Sequence, residues 1–245
     1  MKKLFNISRF MRYANYQNLI HGRMLIFTIL GMWGMLILFL IFVYISNNSF
    51  SAKNWTTIFF ITGMFASIIF SGMSFPDFRK KESSVKFLML PASVFEKFSY
   101  ELIIRIILFP FVYIVLYYLS VKLLLLFFSG TKVEDIPVLF FLDKGTMGTP
   151  VSFLYTFYFL LSAVFFSGAG FIRRYPLLKT AIATTLVVFL IMGYNVLMDY
   201  LGVGRSLYKF ISYANRNFYL LYWFFVFTGL TALVYTYYKI KEKTE

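Results

Sequence analysis

LIIRIILFPFVYIVLYYLSVKLLLLFF, at residues 102–128, is the longest of six long apolar stretches in the chain and decides its fold class. An α-helix rises about 1.5 Å per residue, so about 20 apolar residues cross the roughly 30 Å hydrocarbon core of a bilayer. This stretch exceeds that length, and its only charged residues are Arg105 and Lys122. It therefore predicts a membrane-spanning helix. The six stretches cover residues 24–45, 55–75, 102–128, 151–171, 177–198 and 218–238.

Composition favours a helical membrane protein over other classes. Of the 245 residues, 60% are hydrophobic and 22% are aromatic, which is more apolar surface than a water-soluble domain hides. Strands of an outer-membrane barrel would alternate apolar and polar residues, whereas residues 123–128 read LLLLFF without alternation. We therefore predict an all-α, polytopic membrane protein with six transmembrane helices in a single domain, 1–245.

Basic residues set the expected orientation. The chain carries 24 Lys and Arg against 10 Asp and Glu, a net charge of +14, and cytoplasmic loops of membrane proteins are enriched in Lys and Arg. We expect a multi-pass protein of the plasma (inner) membrane with both termini cytoplasmic, and we assign the charge to orientation rather than to nucleic-acid binding. With this topology 16 of the 24 basic residues lie in the inner segments 1–23, 76–101, 172–179 and 239–245.

Two segments outside the spans mix apolar and basic residues. Segment 1–23 predicts a helix that lies in the cytoplasmic interface before the first span; the alternative is a positive tail that only fixes orientation. Segment 199–217 is too apolar for a simple loop and too interrupted to span, so it predicts a short re-entrant or interfacial helical piece.

Small residues recur in the second span. Gly63, Ser67 and Ser71 follow one another at intervals of four, a spacing that lets two helices approach closely. The stripe is explained either by a dimer seam or pathway wall, or by ordinary packing within the chain, which we favour.

The third span contains a proline and a charged pair. Pro110 predicts a kink or the end of a half-helix. Arg105 follows Glu101 by four residues, which places both on one helix face and allows an ion pair near the cytoplasmic end of the span.

Residues for catalysis or metal binding are scarce. There is no cysteine, and His21 is the single histidine, without neighbouring carboxylates that would complete a zinc site. The spans offer no aspartate pair or activated serine of an intramembrane protease. No stretch matches the phosphate-binding loop Gly-x-x-x-x-Gly-Lys-Ser/Thr. We therefore expect no enzyme activity, no cofactor and no metal in this chain, and the energy for any driven transport would come from another chain.

The segment 76–101 is the most distinctive soluble piece. Ser93 followed by Glu96 forms a capping-box pattern, so a helix should begin near Ser93 and run into the third span. The charged part 79–90 can form a short helix of its own, held against the membrane face. The alternative is a positively charged loop that only fixes topology.

With six spans, an N-terminal interfacial segment and this loop between the second and third spans, the chain resembles the membrane subunits of type 2 ABC transporters. That family carries a Leu-Pro-x-Ser segment before its third span, and Leu90-Pro91-Ala92-Ser93 matches it. The resemblance covers nearly the whole chain in architecture, with fewer than ten specific residues. It differs in that the external loops are small, so large extracellular recognition domains are absent.

The resemblance implies a permease that is energised by a separate ATP-binding cassette subunit, which would hold ATP and magnesium. A second permease copy or a homologous permease would complete the transporter, and the aromatic spans suggest export of a lipophilic or amphipathic cargo. Glu82 and Glu96 are the carboxylates expected to meet basic groups of the ATPase subunit. The expected coupling residues are Arg79, Glu82, Lys86, Leu90, Pro91, Ser93, Glu96 and Lys97.

Two other functions remain open from the sequence. A membrane scaffold or assembly factor would bind a partner through the same loop without ATP-linked activity. An ion-coupled secondary transporter would move its cargo on a proton gradient with no ATPase subunit, but it usually shows midplane ionisable groups or broken helices in matched halves, and neither is clear here.

Overall fold

The computed structural model describes residues 5–47, 52–79, 92–127, 151–172, 174–200 and 218–242. These residues are nearly all helical and contain no strand, which confirms the all-α fold class. A 3₁₀ turn, Pro76–Arg79, follows the second helix. The long helices within these ranges are α1 (Ile7–Asn47), α2 (Ala52–Gly72), α3 (Val94–Phe127), α4 (Val151–Phe171), α5 (Pro176–Tyr200) and α6 (Phe218–Glu242).

Several of these helices suit a membrane. Four of them, α1, α3, α4 and α5, are long and apolar enough to cross one. The apolar part of α2, Thr57–Gly72, is shorter. Large side chains such as Phe27 on α1 and Phe189 on α5 are about two-thirds or more exposed, which a water-soluble protein avoids over large areas. The chain is therefore embedded in a membrane.

Helix α1 differs from the sequence expectation, because residues 7–23 continue into the first span without a break. Ile7–Asn47 is one helix of 41 residues, about 60 Å long at 1.5 Å per residue, which is about twice the hydrocarbon thickness. Gly22 is the one residue near the expected boundary that weakens a helix, at a cost of only about 1 kcal/mol. The buried side chains of Tyr13 and Gln17 hold the N-terminal part against the rest of the chain.

Helix α4 lies at the centre of the packing and contacts α2, α5 and α6. Glycines allow these close approaches. A Cβ atom on Gly229 of α6 would lie 2.6 Å from the ring of Phe159 on α4, and a Cβ on Gly168 of α4 would overlap the side chain of Thr180 on α5.

The small-residue stripe of α2 packs inside the chain. A Cβ atom on Gly63 would lie 2.9 Å from the ring of Tyr113 on α3, and Ser67 and Ser71 are fully buried. This agrees with ordinary packing within the chain rather than with a dimer seam.

Pro110 neither ends α3 nor divides it into half-helices. The turn before it widens into a π-helical segment, Ile103–Leu108, after which the helix continues to Phe127. The backbone N–H of Phe109 donates to the carbonyl of Ile104, five residues back. Because proline has no N–H and its ring crowds the carbonyl four residues earlier, a wider turn gives it room.

Candidate functional site

Helix α3 begins where the capping-box pattern predicts. Ser93 has extended backbone angles, and its Oγ accepts a hydrogen bond from the Glu96 backbone N–H at 3.2 Å. In return, Glu96 Oε2 accepts the Ser93 backbone N–H at 2.8 Å. The prediction of a helix start at Ser93 is therefore confirmed, and it fixes the point where the loop between α2 and α3 enters the helix.

The same carboxylate receives donors from the start of the chain. Arg9 Nη2 donates to Glu96 Oε1 at 2.8 Å, and the backbone N–H of Asn6 donates to that oxygen at 2.8 Å. Glu96 is fully buried, whereas the side chain of Arg9 is 38% exposed. Burial by itself would raise the pKa of Glu96, but the hydrogen bonds from Arg9, Ser93 and Asn6 outweigh it and lower that pKa.

This geometry corrects one expectation for Glu96. The sequence suggested that its carboxylate meets basic groups of a partner subunit, but the carboxylate faces Arg9 and Asn6 of the same chain. Its contribution is internal, since it fastens the first turn of α3 to the beginning of α1.

A second carboxylate, Asp77, lies in the 3₁₀ turn on the other side of the loop. Gln17 Nε2 donates to Asp77 Oδ2 at 2.9 Å, and His21 Nε2 lies 3.0 Å from Asp77 Oδ1. Gln17 also donates to the hydroxyl of Tyr13 at 3.1 Å. Tyr13, Gln17 and His21 are spaced by four residues and so form one stripe on α1.

A strained turn positions Asp77. Phe75 has φ 52°, a left-handed conformation that is unfavourable for a bulky residue, especially before a proline. Its ring is buried 5.0 Å from the ring of Phe166 on α4 and 6.5 Å from that of Phe98 on α3, measured between centroids. Burial of this aromatic ring stabilises the turn.

Lys97 follows Glu96 into the same region and is almost fully buried. Burial lowers the pKa of Lys97 to about 8, while the negative charges of Asp77 and Glu96 act in the opposite direction. One turn further along, the Tyr100 hydroxyl donates to Asn18 Oδ1 of α1 at 2.7 Å. The first two turns of α3 therefore meet α1 through polar contacts.

Glu101 and Arg105 come together as their spacing suggests. Arg105 Nε lies 3.2 Å from Glu101 Oε2, and both side chains are buried. Arg105 Nη1 donates to the carbonyl of Phe70 near the end of α2 at 2.9 Å, and its guanidinium lies over the Phe70 ring at 4.6 Å from the centroid. The pair thus joins α3 to α2 at the same end of the helices.

The remaining predicted coupling residues are not all described. Ser93 and Lys97 belong to the region above, and Arg79 ends the 3₁₀ turn, where only its backbone is described. Glu82, Lys86, Leu90 and Pro91 lie outside the described residues, as do residues 201–217 of the expected re-entrant piece.

Sequence reasoning missed the α1 side of this cluster. Tyr13, Gln17 and His21 carried a signal, because polar residues at four-residue spacing on an otherwise apolar and basic segment indicate one partnered face. Arg9 carried none, since its partner lies 87 residues away. We name the whole set the anchor cluster: Asn6, Arg9, Tyr13, Gln17, Asn18, His21, Asp77, Ser93, Glu96, Lys97 and Tyr100.

The anchor cluster joins the start of α1 to the turn after α2 and to the first turns of α3 through hydrogen bonds and ion pairs. Among the described residues, no group of three or more His, Cys, Asp or Glu could hold a metal ion. Comparison of the chain with protein-family models, curated proteins and solved structures gave no match. The geometry of the cluster is therefore the basis for assigning a function.

Proposed function

We propose that this chain is the membrane-spanning permease subunit of an ATP-driven type 2 ABC transporter that exports a lipophilic or amphipathic cargo. It would cross the plasma (inner) membrane six times with both termini in the cytoplasm. Two permease chains, identical or homologous, would pair, and two separate ATP-binding cassette subunits would dock on the segment 76–101.

The observation that carries the proposal is that both flanks of segment 80–91 are fastened to the same helix. Asp77 before the segment is bound by Gln17 and His21, and Glu96 after it is bound by Arg9. Both sets of donors lie in the first four turns of α1. A protein that pushes on the segment between these flanks would act on α1, α2 and α3 together.

Such an arrangement suits the transmission of movement. Helices that are packed together and joined by ion pairs and hydrogen bonds can move as one rigid body. ATP can drive the movement only if the ATPase subunit binds the two states of the permease with different free energies. The anchor cluster would convert that difference into displacement of three helices.

The proposal is tested by purifying the tagged chain from its native membrane in mild detergent. We expect a stoichiometric ATP-binding cassette subunit to co-elute, and we expect it to be lost when Glu82, Lys86 and Leu90 are all replaced by Ser. The matched control replaces Lys239 and Glu242 by Ser, since these form an exposed ion pair at the end of α6. A homogeneous oligomer with no nucleotide-binding partner would contradict the proposal.

The buried titratable groups favour one second candidate, an ion-coupled secondary transporter. Glu101, Arg105 and Lys97 are buried, Lys97 lies within reach of the charge of Asp77, and Asp77 pairs with His21. In reconstituted vesicles this function predicts flux driven by a pH gradient without ATP, and Asp77→Asn should abolish it. Flux that requires ATP and the partner subunit would exclude it.

A further inference from the structure

Helices α1, α2 and α3 enclose an apolar cavity of about 310 Å³. Its floor is formed by the buried side chains of Leu36, Phe109 and Tyr113. Its rim is formed by exposed side chains: Met35 on α1 is 72% exposed, and Phe65 on α2 is 65% exposed. The cavity therefore opens outward between α1 and α2.

The polar groups on its wall already have partners in the chain. The Tyr113 hydroxyl donates to the carbonyl of Phe59 at 2.9 Å and lies 2.6 Å from Thr62 Oγ1, which donates to the carbonyl of Ile58 at 2.6 Å. Trp33 Nε1 donates to Ser120 Oγ at 2.8 Å. A polar guest or a water molecule would thus gain little from this wall, because buried waters need two to four polar partners.

The position of the cavity indicates what surrounds its opening. Its α1 wall runs from Ile29 to Phe39, inside the apolar stretch 24–45. It begins eight residues beyond His21, or about 12 Å along the helix. Since His21 and Asp77 mark the polar end of α1, the opening lies at the depth of the acyl chains. An empty cavity of this size would forfeit dispersion contacts along all of its walls.

We propose that this cavity is a binding site for one acyl chain of a membrane phospholipid, inserted between Met35 and Phe65 and resting on Leu36, Phe109 and Tyr113. The acyl chain would fill the space between α1 and the α2–α3 pair. This inference stands apart from the proposed function, because it needs neither an ATPase partner nor transport.

The test uses Trp33, which lines the cavity. A variant with Trp55→Phe and Trp223→Phe keeps Trp33 as its single tryptophan, since the chain has three. In nanodiscs whose phosphatidylcholine carries bromine on the acyl chains, we expect strong quenching of Trp33 fluorescence. Adding Ala66→Phe fills the cavity from α2 and should lower the quenching at least twofold, whereas Ala183→Phe on the exposed face of α5 should leave it unchanged.

A second measurement avoids the tryptophan substitutions. The full chain, purified in mild detergent, is weighed intact together with its retained lipids, and the Ala66→Phe variant should retain one phospholipid fewer than the Ala183→Phe variant. Equal quenching and equal lipid retention in the two variants would overturn the proposal, because they would show only bulk lipid around the helices. Loss of the retained lipid in Ala66→Phe would support it whether or not an ATPase subunit is found.

Discussion

Arg9 and Glu96 lie 87 residues apart in sequence, yet Arg9 Nε donates to both carboxylate oxygens of Glu96, at 3.0 and 2.9 Å. The glutamate also completes the capping box of α3. The carboxylate of Glu96 therefore caps the N-terminus of α3, where the loop ends, and also binds the start of α1. Glu96→Arg is consequently a poor test of partner docking, because it would place two like charges in contact in a buried position.

The first prediction concerns the cation of this pair. Arg9→Ala should lower the free energy of unfolding by about 1–3 kcal/mol, the range for hydrogen bonds to a charged group, since Glu96 would remain buried without its guanidinium. Arg12→Ala is the matched control, because Arg12 is exposed one turn later on α1. Thermal unfolding in detergent should separate the two variants at pH 7.

Acid should remove the difference between Arg9→Ala and the unmodified chain. The pKa of Glu96 is lower in the folded chain than in the unfolded one. Its contribution is therefore present above the unfolded value of about 4.3 and is lost as the pH falls through the folded value. A difference in unfolding temperature that persists undiminished at pH 2 would contradict this assignment.

The second prediction is an alkaline gain in stability from Lys97. Burial lowers the pKa of Lys97 to about 8, below the unfolded value of about 10.4. Between these values the unfolded state binds more protons, so the free energy of unfolding rises with pH, by about 1–3 kcal/mol after allowing for partial solvent screening. Lys97→Met should flatten the rise between pH 8 and 9.5, and Lys239→Met at an exposed site should preserve it. An unchanged slope in Lys97→Met would assign the effect to other groups.

The fold class and the helix start at Ser93 follow from the sequence because they are local. Apolar length determines which segments can cross a membrane, and the Ser93–Glu96 spacing determines a cap. The continuity of α1 was not evident, because aromatic and basic residues over 1–23 fit a helix in the interface as well as one that extends beyond it.

The anchor cluster could be predicted only in part from the sequence, because most of its hydrogen bonds join residues that are far apart in the sequence. The Glu101–Arg105 pair could be predicted from its four-residue spacing. The partners of Arg9, Gln17 and His21, in contrast, lie 56 or more residues away in the sequence. The π-helical turn before Pro110 could likewise be predicted only in part. The proline indicates that the helix is disturbed there, but the sequence does not determine whether the helix kinks, ends or widens into a π-helical turn.

The third prediction compares a glycine at a close contact between two helices with a glycine that has no neighbour within 4 Å. Gly168→Ala should destabilise the chain by about 1–3 kcal/mol, the cost of overpacking a close contact, because its Cβ would overlap Thr180 of α5. Gly34→Ala meets nothing within 4 Å and should be neutral or stabilising by up to about 1 kcal/mol from helix propensity. Unfolding temperatures in the same detergent measure both. Destabilisation by Gly34→Ala would instead indicate that this face of α1 contacts another chain.

The last prediction concerns Arg105, whose two donors serve two acceptors. Nε binds Glu101 and Nη1 binds the Phe70 carbonyl. A lysine has a single nitrogen and cannot reproduce this fork, so Arg105→Lys should lose stability although the charge is kept. Arg105→Leu should cost more, about 3–5 kcal/mol, because it leaves the carboxylate of Glu101 buried without its partner.

Removing both charges should restore much of the stability that Arg105→Leu loses. The double variant Glu101→Leu and Arg105→Leu leaves no uncompensated charge, and replacing a buried ion pair by apolar side chains is often close to neutral. A double-mutant cycle of unfolding free energies measures the coupling, which should exceed about 1 kcal/mol for residues in direct contact. Additive single effects would mean that the two side chains act independently, and that Arg105 is held mainly by Phe70.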